Sequence, residues 1–134
     1  MCMRGLMGEP AGTRSMTEIG VDIVEIPRIA EAIERFGERF LRRVYTEREV
    51  TAYRKRTSSL ATRFAAKEAV MKVLGTGMRG VSWHDIEILS TESGRPVVHL
   101  SGRALERFES LGLESMTVSL SDSREYAMAV ALGN

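Results

Sequence analysis

The stretch from Ser59 to Gly80, SLATRFAAKEAVMKVLGTGMRG, restricts the fold more than any other part of the chain. Leu60, Phe64, Met71 and Leu74 recur at helical spacing, which predicts a helix of about four turns. Ser58 or Ser59 would cap its start, and Gly75, Gly77 and Gly80 would close it as a glycine-rich turn. Glu68 falls inside the apolar stripe, between Phe64 and Met71. A carboxylate on an apolar face is costly unless it is paired, protonated or bound to a metal. Lys72 follows one turn later. An acid, a base and glycines at one helix end suggest a site for a phosphorylated ligand.

The rest of the chain supplies partners for this helix. Residues 1–17 lack periodicity, contain Gly5, Gly8, Pro10 and Gly12, and lack the apolar segment of a signal peptide. They read as a disordered extension, with Met16 an alternative start, ahead of a single domain over 18–134. Ile19 to Val24 alternates as a strand, with Ile19, Val21 and Ile23 on one face and Gly20, Asp22 and Val24 on the other. Pro27 suits the first turn of a helix that ends near Gly37. Thr46 and Glu49 have capping-box spacing and start a short helix running to about Lys55. Beyond Gly80, Trp83 to Leu89 and Pro96 to Leu100 read as a hairpin turning at Ser93-Gly94. A helix from Ser101 to Leu111 ends at Gly112. Met116 to Leu120 and Tyr126 to Leu132 are two more strands, joined by a polar turn from Ser121 to Glu125. The order β-α-α-α-β-β-α-β-β lacks regular βαβ alternation, so an α+β domain is expected, with a mostly antiparallel sheet on a long central helix.

Composition narrows the function classes. The 134 residues suffice for one domain with a real core. No run approaches the roughly 18 apolar residues of a membrane span. The single Cys2 makes neither an internal disulfide nor a zinc cluster, so a reducing, cytoplasmic setting is expected. Charge is uneven: Arg28 to Arg56 holds nine Lys/Arg against five Asp/Glu, whereas Val81 to Asn134 holds four against eight. The basic middle favours an anionic partner or is simply a solvated helix surface. With 6% aromatic residues and no recognition motif, nucleic acid is not the expected partner.

Two constellations could carry chemistry. Asp22 and Glu68 are carboxylates in apolar elements, and they would meet if the strand packs on the central helix. Together they could hold Mg2+, which takes one or two carboxylates and completes its shell with water and phosphate oxygens. Alternatively, Asp22 caps a backbone and Glu68 pairs with Arg63, Lys67 or Lys72. Lys72 with Gly75, Thr76 and Gly77 could cradle a phosphate, or Gly75 could be a plain helix cap. It is not a Walker loop.

Several segments together resemble one family. Ile19-Gly20-Val21-Asp22-Ile23-Val24-Glu25-Ile26 with Arg28-Ile29 looks like the opening of the holo-[acyl-carrier-protein] synthases. Arg63-Phe64-Ala65-Ala66-Lys67-Glu68-Ala69, Lys72 and Gly75-Thr76-Gly77 resemble their central motif. Asp85-Ile86-Glu87-Ile88, Gly94-Arg95-Pro96 and Val118-Ser119-Leu120-Ser121 follow in the family's order.

The resemblance implies a 4'-phosphopantetheinyl transferase-like fold. It also implies transfer of 4'-phosphopantetheine from coenzyme A to a serine of apo acyl carrier protein, in fatty acid biosynthesis. It gives Asp22 and Glu68 to the catalytic Mg2+, and Arg63, Lys72, Gly75, Thr76 and Gly77 to the coenzyme A phosphates. Arg28 would meet the acidic carrier, and a homotrimer with sites between subunits is expected. The alternative is a non-catalytic coenzyme A or nucleotide-binding module. Asp122 stands where many members carry His, a departure from the family pattern.

Overall fold

The computed structural model describes residues 17–77 and 80–134, so the extension expected over 1–17 lies, but for Thr17, outside the described residues. Eleven short elements follow one another: β1 Glu18–Glu25, α1 Ile26–Phe36, α2 Glu38–Val44, α3 Glu47–Tyr53, α4 Thr57–Leu74, a 3-10 turn Trp83–Asp85, β2 Ile86–Ser90, β3 Pro96–Leu100, α5 Gly102–Ser110, β4 Met116–Asp122 and β5 Tyr126–Gly133. The strands form two antiparallel sheets, a three-stranded one in the order β1-β5-β4 and the β2-β3 hairpin. The expected α+β domain around a central helix is what forms. No described helix is long and apolar enough to cross a membrane.

Side-chain size decides how α4 meets the large sheet. The inward row of β5 is Ala127, Ala129 and Ala131, all fully buried, ending in Gly133. Ala65, Ala66 and Ala69 of α4 are also fully buried. Small residues on both surfaces let helix and sheet approach closely. Leu60, Val70 and Leu74 fill the remaining sides of α4, each worth about 1.5–3 kcal/mol by burial.

Several expectations need correction. An extra helix, α2, follows Gly37, so four helices rather than three precede β2. Helix α4 begins at Thr57 with Arg56 at its cap, and neither Ser58 nor Ser59 caps it, because the Arg56 carbonyl already accepts from the N–H groups of Ser59 and Leu60. Trp83–Asp85 is not strand. Ser82 Oγ accepts from the His84 N–H and Asp85 Oδ2 from the Ser82 N–H, which winds a 3-10 turn before β2. Ser121 and Asp122 lie in β4, paired with Met128 and Ala127, so the turn is shorter than expected. Ser101 precedes α5 without a side-chain capping bond. The capping box of Thr46 and Glu49 is formed, although α3 ends at Tyr53.

Candidate active site

Helix α4 is not amphipathic in the ordinary sense. From Leu60 onward every residue is buried except Phe64 and Glu68, which are half-buried, and Lys72, which is exposed. These three stand at i, i+4 and i+8, so they form one open stripe on an otherwise enclosed helix. The expectation of Glu68 set in an apolar stripe with Met71 is therefore reversed: Met71 belongs to the core, and Glu68 to the one face left open.

Strand β1 closes over that face. Gly20, Asp22 and Val24 point toward α4, and Ile19, Val21 and Ile23 point away. Asp22 and Glu68 line one cleft of about 550 Å³ with Arg28, Ile29, Phe40 and Phe64. The Lys72 ammonium donates to the Val21 carbonyl at 2.7 Å and to Asp22 Oδ1 at 3.2 Å, tying the helix to the strand beside the carboxylates. Burial, and then the Asp22 charge, hold the Glu68 carboxyl above the usual glutamate range, with Lys72 pulling the other way. Among the described residues, none of the expected cations pairs with Glu68. Lys67 goes to Glu49, Lys72 to Asp22, and Arg63 to Ser90 and Thr62.

A cleft that disfavours its second negative charge is one that a divalent cation relieves. Among the described residues no group of three or more His, Cys, Asp or Glu side chains is gathered. The donor set is thus two hard oxygen ligands without a full protein cage. That suits Mg2+ shared with substrate phosphates better than zinc.

The other expected site residues lie elsewhere. Arg63 is about 140° round the helix from Glu68, five residues on. It stacks over Tyr53 at 3.9 Å and lines a second pocket with Arg56, Ser90, Arg95, Ser121 and Asp122. Its buried Nε has no hydrogen-bond partner. Gly75 takes the left-handed conformation, φ 72°, and its N–H returns to the Met71 and Lys72 carbonyls. Arg107 Nε occupies the Leu74 carbonyl at 2.8 Å. Gly75 is therefore a helix cap next to Lys72, with Gly75 and Gly77 exposed.

The 4'-phosphopantetheinyl transferase superfamily profile matches residues 18–131. A holo-[acyl-carrier-protein] synthase of Koribacter versatilis is 46% identical over 114 residues, covering 82% of this chain and 91% of its own length. The Gloeobacter violaceus enzyme of the same name is 48% identical, covering 89% and 93%. This chain belongs to the holo-[acyl-carrier-protein] synthase family. The crystal structure of the Helicobacter pylori holo-[acyl-carrier-protein] synthase in complex with coenzyme A superposes with a TM-score of 0.79 at 33% identity. That match covers 87% of this chain and 99% of that one.

In this synthase chain one feature of the site escaped sequence reasoning. Lys67, the neighbour of Glu68, is fully buried and gives its three N–H donors to Glu49 Oε1 at 2.8 Å, the Trp83 carbonyl at 3.0 Å and the Ile86 carbonyl. Glu49, also fully buried, accepts from the Thr46 and Ile88 N–H groups. Every polar atom of the pair is satisfied, which a buried ion pair requires. The pair pins the rotation of α4 and leaves Glu68 facing the cleft. Burial lowers the Lys67 pKa, while Glu49 pulls it back up. The capping-box spacing identified Glu49 only as a cap, and nothing local joined it to a lysine eighteen positions on.

Proposed function

We propose that this chain transfers 4'-phosphopantetheine from coenzyme A to a serine of apo acyl carrier protein, releasing adenosine 3',5'-bisphosphate, as a step in fatty acid biosynthesis. The observation that carries the reading is the open stripe of α4, which sets Glu68 opposite Asp22 with Lys72 beside them in a chain of this family. Asp22 and Glu68 would hold Mg2+, which when bound neutralises and orients the coenzyme A pyrophosphate. Lys72 uses two of its three donors on β1 and has one left for a phosphate oxygen. The serine oxygen attacks the β-phosphorus as its proton passes to water, the bond to the bridging oxygen breaks, and adenosine 3',5'-bisphosphate leaves. The protein's part is positioning and charge neutralisation, without a covalent intermediate.

Arg28 begins a run of exposed arginines, with Arg35, Arg39, Arg42 and Arg43, on α1 and α2. This supports docking of an acidic carrier next to the cleft. The outward face of the large sheet supports the homotrimer. Ile19 is 67% and Ile23 60% exposed, and Val21, Met128, Val130 and Leu132 continue the patch in register. In that assembly, the pocket of Arg63 and Arg95 would take the phosphate end of a coenzyme A seated in a neighbour's cleft. We assign the reaction to the cytoplasm, in keeping with the single cysteine.

The deciding experiment is mass spectrometry of an apo carrier protein incubated with the chain, coenzyme A and Mg2+, with and without a chelator. A phosphopantetheine mass increment that the chelator removes is expected. Coenzyme A binding without any increment would leave only the binding-module reading.

A further inference from the structure

We propose that Gly20 is a positioning residue for the Asp22–Glu68 pair: its missing side chain lets β1 rest on the backbone of α4, and that approach sets the span between the two carboxylates. This rests on the metal reading of the pair given above.

Gly20 is buried on the α4 side of β1, two residues before Asp22. Alternate residues of a strand share a face, so the height of residue 20 above the helix governs the height of Asp22. A Cβ built on Gly20 would lie 2.1 Å from the Ala69 carbonyl oxygen, 3.0 Å from its carbon and 3.1 Å from Lys72 Cβ. Carbon–oxygen contacts are comfortable only at about 3.3 Å or more, so an alanine would drive the strand off by roughly 1 Å. The obstacle is backbone of the most enclosed helix among the described residues, one residue beyond Glu68, and it cannot rotate aside. Gly20 is not among the glycines with positive φ. Its backbone is open to any residue, so close approach alone explains the glycine. Retreat of β1 would also pull the Val21 carbonyl and Asp22 away from the Lys72 ammonium, which now holds both.

Gly133 provides the control. It lies on the same sheet and is paired with Glu18 at the far end of β1. A Cβ there would meet side chains, Val73 Cγ1 at 2.6 Å and Leu113 Cδ1 at 3.1 Å. Alanine at 133 strains the sheet–helix contact without lifting the strand at Asp22.

The test measures Mn2+ binding by titration calorimetry in the presence of coenzyme A without carrier protein, alongside turnover at varied Mg2+. The chains are wild type, Gly20→Ala, Gly133→Ala, Asp22→Glu and the Gly20→Ala/Asp22→Glu double variant. Gly20→Ala is expected to fold and to weaken Mn2+ binding by roughly 10-fold or more. Its half-saturating Mg2+ should rise in parallel, while the KM for carrier stays within about twofold. Gly133→Ala should lose stability but keep wild-type metal affinity. Asp22→Glu, one methylene longer, should weaken metal binding in the wild-type background and restore part of it in the Gly20→Ala background, a reversal that general destabilisation does not produce. Wild-type metal affinity in Gly20→Ala, no reversal in the double variant, or a Gly20→Ala chain unable to fold would each overturn the positioning role. A wild-type chain that binds no Mn2+, or a Glu68→Gln chain that binds it undiminished, would instead sink the metal reading and take this inference with it.

Discussion

Glu68 destabilises the fold that holds it. Its carboxyl is raised above the unfolded value, first by burial and then by Asp22. The folded chain therefore prefers the protonated form. This contribution is fully present below the unfolded pKa and is lost as pH rises through the folded one. In a chelator, Glu68→Gln should then melt at a higher temperature than wild type at neutral pH. The gap should close as pH falls through the raised value toward the ordinary glutamate range. The same variant should lose nearly all turnover, about 100-fold or more. Melting curves across pH and the carrier assay check the two halves; an unchanged melting gap at low pH would contradict the titration. Arg28 gives a second prediction at this scale. Arg28→Glu should raise the carrier KM roughly tenfold while leaving metal dependence alone, and it should flatten the response of KM to salt. Full salt sensitivity in that variant would remove Arg28 from the docking contact.

At the scale of elements, the Glu49–Lys67 pair joins α3, α4 and β2 at one fully buried point. Removing one partner leaves the other charged and enclosed, so Lys67→Met should cost about 3–5 kcal/mol in denaturant unfolding. Adding Glu49→Gln should recover part of that loss, because the orphaned charge is gone while an acceptor remains for one of the Thr46 and Ile88 N–H groups. If the double variant were no more stable than Lys67→Met, the pair would not be the electrostatic clasp described. The element-level reading of the sequence succeeded where signals were local. The capping box at Thr46 and Glu49, Pro27 in the first turn of α1 and the Gly94 hairpin turn are all realised. It failed where a neighbour supplied the reason. Helix α2 has a short apolar set, Phe40, Leu41 and Val44, too brief for periodicity to distinguish from a loop, and it winds because Leu41 and Val44 are buried in the core around α1.

For the whole molecule, the large sheet has two unlike faces. One is a row of alanines against α4; the other presents Ile19, Val21, Ile23, Met128, Val130 and Leu132 to the outside. An exposed apolar surface of this continuity is what the proposed trimer would bury. If the proposed trimer forms through this face, Val130→Glu should shift it toward monomer in sedimentation velocity and lower turnover at least about tenfold, since the proposed site is shared between subunits. Monomeric wild-type chain with full activity would exclude the shared site.

The sequence by itself determined most of the elements, though not α2 or the 3-10 turn, together with the α+β class and the oddity of Glu68, because periodicity, caps and turn residues act within a few positions. It also paired Asp22 with Glu68, two carboxylates in apolar elements, and contained the motifs whose resemblance to the family named the ligand. Only the tertiary structure decided which way those residues face. An alternating strand does not reveal which of its sides is the inner one, and β1 turns its isoleucines outward because Gly20 and the alanines of β5 admit α4 on the other side. Likewise, a helix enclosed nearly all round has no stripe that hydrophobicity alone can orient. The enclosing neighbours leave Phe64, Glu68 and Lys72 open, and the Lys67–Glu49 clasp holds them there.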